Sequence, residues 1–150
     1  MDDKQKHNGL QCHIYPYMTL DTYKYVVVCS RFEGKWLLSR HKKRDTWETQ
    51  GGHIERGETP MAAAQRELYE ESGITDAVLY PICDYCGYDD TGHANGVVFL
   101  ADVKSIGRLP ESEMERVQLF DVLPDTLTYP GVTPVLMQAA LSFAEKKGIR

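Results

Sequence analysis

Nowhere in the 150 residues is there an apolar run approaching the ~20 positions that a bilayer-spanning helix needs. Basic charge is scarce as well: 17 Lys and Arg face 22 Asp and Glu, a net charge of −5. Proteins that coat nucleic acid carry a basic surplus, so no such role is expected. The four cysteines, Cys12, Cys29, Cys83 and Cys86, are too few and too scattered for a disulfide scaffold. They fit a reducing cytoplasm. Cys83 and Cys86 form C-x-x-C, but no second pair and no histidines at ligand spacing follow, so zinc lacks a ligand set. The surrounding LYPICDYCGY alternates as a strand does, and two strand cysteines are the simpler reading. The opening MDDKQKHNGLQCHIYPYMTL has no basic head followed by an apolar stretch, so no signal peptide is expected. Repeats, low-complexity tracts and Pro/Gly/Ser linkers are missing. A single domain, 1–150, built on one core is expected.

What is present alternates between strand and helix signals. Residues 1–20 read as an irregular or partly extended lead-in. Tyr23 to Ser30, YKYVVVCS, is β-branched and aromatic enough for a strand buried on both faces. Glu33-Gly34 marks a turn, and Lys35 to Arg40 returns as the hairpin partner. Trp47 to Ile54 reads as extended, broken at Gly51-Gly52. The best-defined element is a helix: Thr59 can cap it, Pro60 fits its first turn and Gly73 ends it. Strands are expected at Ala77–Tyr85, Gly96–Lys104 and Arg116–Phe120, and a closing helix over Pro130–Lys147. The order β-β-α-β-β-β-α, with strands pairing mostly as neighbours, predicts an α+β fold, an α/β/α sandwich.

The central helix carries an anomaly. Glu67, Glu70 and Glu71 project within about a 100° sector, beside an apolar stripe of Met61, Ala64 and Leu68. Glu67 repels the other two at i+3 and i+4, by roughly 0.2–0.5 kcal/mol per pair. Glu70 and Glu71 also lie in the last turn, where the helix dipole disfavours an anion. A divalent cation would reverse both signs, and clustered hard oxygens suit Mg²⁺ or Mn²⁺ rather than zinc. A solvated acidic face, softened by Arg66 pairing with Glu70, is the bland alternative.

The longer pattern favours the cation. Gly52, five residues, Glu58, seven residues and then RELYEESGI (Arg66 to Ile74) match G-x5-E-x7-R-E-U-x-E-E-x-G-U at every specified position, U being a bulky apolar residue. A chance match is on the order of 10⁻⁹ per window. The stretch resembles the Nudix box of the Nudix, or MutT-like, hydrolases. The resemblance implies a Nudix fold: a mixed β-sheet flanked by helices, with the box as a loop–helix–loop. It implies a Mg²⁺- or Mn²⁺-dependent pyrophosphohydrolase acting on a nucleoside diphosphate linked to another moiety. It implies Glu70 and Glu71 as metal ligands, Glu67 as ligand or base, and the main-chain oxygen of Gly51 as a further ligand. Glu58 and Arg66 are implied to support the box together, with Gly52 and Gly73 as its structural glycines. Many relatives carry an apolar residue and a proline before the two glycines; this chain has Thr49 and Gln50.

Beyond the box, the family pattern calls for a further acid from a downstream loop. Glu111, Glu113 and Glu115 are the candidates, Glu113 being preferred. In the basic run Arg40, His41, Lys42, Lys43 and Arg44, Arg40 is the candidate for touching substrate, because it closes a strand leading toward the site. Trp47 is expected to pack below the site. Tyr85, Tyr88, Phe99 and Phe120 are expected to be core first and base-stacking platforms second. The partner implied is a small nucleotide derivative rather than nucleic acid or membrane, met by a monomer or homodimer. An oxidised nucleoside triphosphate is the substrate named. A non-catalytic Nudix module that senses a nucleotide or binds a protein is the alternative. Isopentenyl-diphosphate isomerisation on the same fold would need cysteine and glutamate contexts that are not seen.

Overall fold

In the computed structural model, which describes residues 9–150, the elements follow as β1 (Gln11–Tyr15), β2 (Tyr23–Phe32), β3 (Lys35–His41), β4 (Trp47–Glu48), β5 (Gln50–His53), α1 (Pro60–Ser72), β6 (Ala77–Asp89), β7 (Gly92–Val103), β8 (Met114–Phe120) and α2 (Thr133–Lys147). The strands form one mixed sheet in the order β1-β6-β7-β2-β3-β4, with β5 on β2 and β8 on β3. β2 and β7 pair in parallel; the other pairs are antiparallel. This is the expected sandwich.

β2 lies inside the sheet and buries both faces, as its run of valines requires. Val26 and Val28 pack with Leu37, Val97 and Phe99 against Ala64 and Leu68 of α1. Cys29 packs with Leu38, Val98 and Leu100 against Leu136 and Ala140 of α2. Each helix therefore closes one face. α1 starts where Thr59, in an extended conformation, accepts a hydrogen bond from the Ala62 N–H at 3.1 Å. It stops at Gly73, whose φ of 80° is left-handed and whose N–H returns to the Tyr69 carbonyl. A Cβ at Gly73 would run into the Arg108 carbonyl, so glycine is required there twice over.

The lead-in is partly extended, as one of its two readings had it, while several other expectations are corrected. In the lead-in, β1 pairs with β6 from Gln11↔Tyr88 to Tyr15↔Asp84. Its sequence QCHIY is mostly exposed, so no apolar alternation announces it; cross-strand contacts such as the His13–Tyr88 stack at 4.9 Å make it. Residues 1–8 of that segment lie outside the described residues. The break in Trp47–Ile54 falls at Thr49, and both glycines sit inside β5, opposite Val27 and Val26. Strands do not pair mostly as neighbours, since β1–β6, β2–β7, β2–β5 and β3–β8 all join distant segments. The last helix begins at Thr133, after a turn over Pro130–Val132.

One buried acid organises the entry to the sheet. Asp84 on β6 accepts main-chain hydrogen bonds from Met18 (3.2 Å), Thr19 (3.0 Å) and Leu20 (2.9 Å), and one from the Tyr23 hydroxyl (2.7 Å). It straps the connection between β1 and β2 to the sheet. Asp84→Ala strips three main-chain donors and one hydroxyl of their acceptor. The expected loss is about 3 kcal/mol or more, read as a lower urea midpoint.

Candidate active site

The acidic edge of α1 faces β5. The Glu71 carboxylate Oε1 accepts the Gly51 N–H at 2.7 Å. Glu67 lies flat on Gly52, where a Cβ would stand 2.6 Å from its Oε1. A Cβ on Gly51, at φ 155°, would strike the Val26 carbonyl. Gly52 is thus clearance between strand and helix, and Gly51 clearance between β5 and the backbone of β2. Glu70 points outward, half exposed, with its Oε2 3.4 Å from Arg66.

Arg66 ties the loop to the helix. Its Nε and Nη2 grip Glu58 at 2.8 and 2.9 Å, Nη2 also donates to the His53 carbonyl at 3.0 Å, and Nη1 donates to Glu67 at 2.8 Å. A forked guanidinium suits such a two-point grip. The Arg66 hydrogen bonds, helped by the Glu55 N–H, hold the Glu58 carboxyl down at about 2. Residues 54–59 are thereby fixed to α1, the support that the box resemblance implies for Glu58 and Arg66.

The electrostatics centre on Glu71. Burial pushes its carboxyl up to about 9; the Gly51 N–H opposes, while Glu67, Glu48 and Glu113 add repulsion. Glu67 is also raised, by burial first and partly offset by Arg66. Glu48 is a buried acid that the sequence reading missed. Its Oε1 accepts from Arg44 at 3.1 Å and from the Thr128 hydroxyl at 3.2 Å, and burial raises it too. The available signal was an acid next to Trp47, three residues before the glycine pair.

Of the remaining expected residues, Glu113 is exposed, 3.7 Å from His41, yet within electrostatic reach of Glu71. Its main-chain carbonyl accepts from the Lys42 N–H at 2.8 Å. Arg40 pairs with Glu115 at 3.0 Å over the Trp47 ring and does not border the cleft described next. Trp47 is buried, edge-on to Phe120.

A cleft of about 560 Å³ opens along β5, bordered by Tyr25, Glu48, Gly51, Gly52, Tyr85 and Tyr129 among others; Glu67, Glu70 and Glu71 do not border it. Tyr25 leans on His53, ring centres 4.5 Å apart, and burial and nearby Glu48 push the Tyr129 phenol up to about 12. Of the four aromatic candidates only Tyr85 borders the cleft; Phe99 is core, Phe120 meets Trp47 and Tyr88 stacks on His13. Tyr25 and Tyr129 were not foreseen.

Among the described residues, no three His, Cys, Asp or Glu side chains stand close enough to hold a metal ion as they are arranged. The chemistry of the donors still fits a hard cation. All are oxygens, and the Glu71 carboxylate is buried with no cationic partner among the described residues, its one hydrogen bond coming from Gly51.

Comparison with known proteins agrees with the fold and the family resemblance. The family model described as NUDIX domain matches residues 22–127. The chain is 34% identical over 113 residues to the putative 8-oxo-dGTP diphosphatase YtkD of Bacillus subtilis (strain 168), covering 72% of this chain and 68% of that protein. It is 41% identical over 54 residues to an RNA pyrophosphohydrolase of Mesorhizobium japonicum, a match spanning 35% of this chain and 31% of that protein. A variant of the Bacillus subtilis pyrophosphohydrolase BsRppH superposes with a TM-score of 0.77 at 25% identity, covering 94% of this chain and 93% of that one. These matches, with the sheet and the glutamate-edged helix, define a Nudix hydrolase, an enzyme of phosphoanhydride cleavage. The chain belongs to the Nudix family. Its class works with a divalent cation, and among the described residues no helix is long and apolar enough to cross a membrane.

Glu71 makes stability depend on pH. Its folded value of about 9 lies above the ordinary 4.5, so the metal-free fold holds a proton that the unfolded chain releases. The contribution is fully present below 4.5 and is lost as pH rises toward about 9. In chelator, the thermal midpoint is expected to fall across that window, and Glu71→Gln to flatten the fall.

Proposed function

We propose that this chain hydrolyses a phosphoanhydride of a nucleoside 5′-polyphosphate, an oxidised nucleoside triphosphate being the substrate class named first, with Mg²⁺ or Mn²⁺ as the cation. The observation that carries the reading is the buried Glu71 carboxyl group, hydrogen-bonded to the Gly51 N–H and without a cationic partner among the described residues, with Gly51 bordering a cleft walled by tyrosines. A polyphosphate resists water because its own charge repels nucleophiles. A cation held by Glu71, Glu70, Glu67 and the Gly51 main-chain oxygen would neutralise that charge and make water more acidic. Glu67 is then placed to take the proton, with Glu113 as the second candidate. Arg66 and Glu58 keep α1 and its loop in one position, while Gly52 gives Glu67 its place against β5. Tyr25 and Tyr129 offer ring faces or edges to a base.

A second reading, the 5′-triphosphate end of RNA, is favoured by the relatives named RNA pyrophosphohydrolase. Both readings use the same bond and the same acids and differ in what the cleft must admit. Turnover against nucleoside triphosphates, oxidised and ordinary, and against 5′-triphosphorylated RNA separates them. Each substrate is run with Mg²⁺, with Mn²⁺ and with chelator. Glu71→Gln is expected to lower metal-dependent kcat by about 100-fold or more, while the metal-free thermal midpoint stays level or rises because a neutral amide needs no proton taken up on burial. Full turnover by that variant would remove Glu71 from the site.

A further inference from the structure

Gln50 is fully buried and every polar group of its side chain is used. Its Nε2 donates to the Ser39 hydroxyl at 2.9 Å and to the Leu37 carbonyl at 3.2 Å; its Oε1 accepts from the Ser30 hydroxyl at 2.6 Å. Ser39, also fully buried, donates to the main-chain carbonyl of Glu71 at 2.8 Å. The direction of each bond is forced. The Leu37 carbonyl can only accept, so the amide NH₂ must face it. Ser39 receives one of those protons and has its own to give. The Glu71 carbonyl is one of the last four of α1, which find no partner inside the helix. It is capped from β3, and β5 sets the cap.

Glu71 is therefore held twice, by neighbouring residues of one strand. Gly51 binds its carboxylate directly, and Gln50 binds its backbone through Ser39. A proline at position 50 would bring no side-chain amide to this spot.

We propose that Gln50 and Ser39 are a positioning pair that sets Glu71 for the divalent cation, without touching cation or substrate. The proposal rests on reading Glu71 as a metal ligand. It predicts that the pair acts on metal affinity and kcat together, and little on nucleotide binding.

The test is Mn²⁺ binding, by paramagnetic resonance of the free ion, beside kcat and KM at saturating metal. Gln50→Met and Ser39→Ala are each expected to weaken Mn²⁺ binding and lower kcat by about 10-fold, with KM changing by less than about twofold. The double variant should be no worse than the poorer single one, because both cut one chain. Ser39→Thr keeps the hydroxyl and should restore binding. Should Gln50→Met fail to fold, Ser39→Ala deletes a single hydroxyl and reads the same link. Folded variants with wild-type Mn²⁺ affinity and kcat would overturn the proposal while Glu71→Gln still loses the ion. Retention of Mn²⁺ by Glu71→Gln would overturn the site reading, and this proposal with it.

Discussion

Everything at this site depends on how closely β5 approaches the last turn of α1. A carboxylate there meets three penalties at once: the helix dipole, neighbouring acids and loss of water. Burial dominates for Glu71, since it alone is enough to push the carboxyl far above its usual range. One N–H from Gly51 offsets part of this. The approach needs glycine at position 52, because a methyl there would strike Glu67, while Gly51 leaves room for the Val26 carbonyl of the adjacent strand β2. The same closeness lets Ser39 reach the end of the helix. Backbone clearance, carboxylate strain and helix capping are thus one geometric fact seen from three sides.

Around that contact the charges are arranged unevenly. Arg66 takes the near side of Glu67 and Glu70 and anchors Glu58, while Arg44 takes Glu48. Glu71 keeps the Gly51 N–H and has no cationic partner among the described residues. The two arginines relieve the other members of the acidic group, so the acid left without a counter-charge is the one nearest the glycine pair.

How much of this was legible follows from where each signal resides. α1 could be read almost residue by residue, because its cap, first-turn proline and terminal glycine are local. The box placed Glu67, Glu71, Gly51 and Gly52 together, and the structure brings them together. β1 could not be read, since an edge strand with exposed side chains has no apolar rhythm to betray it. The glycines suggested a break in the strand because their reason lies in residues far along the chain. Glu48 was hidden for the same cause: its partners Thr128 and Arg44, and its nearness to Glu71, exist only after folding. Gln50 stood out merely as a departure from its relatives, and its three hydrogen bonds explain the departure.

The parallel pairing of β2 with β7 has a consequence for how the chain is born. Val26 lies beside Val97, with α1 and four strands strung between them. Long-range closure of this kind is slow, because the loop must be gathered before any contact rewards it. On the ribosome, β2 emerges early and waits without its central neighbour until β7 has been made. Throughout that interval its valines and one side of α1 lack the β7 residues they pack against in the finished fold, so apolar surface stays open until β7 arrives.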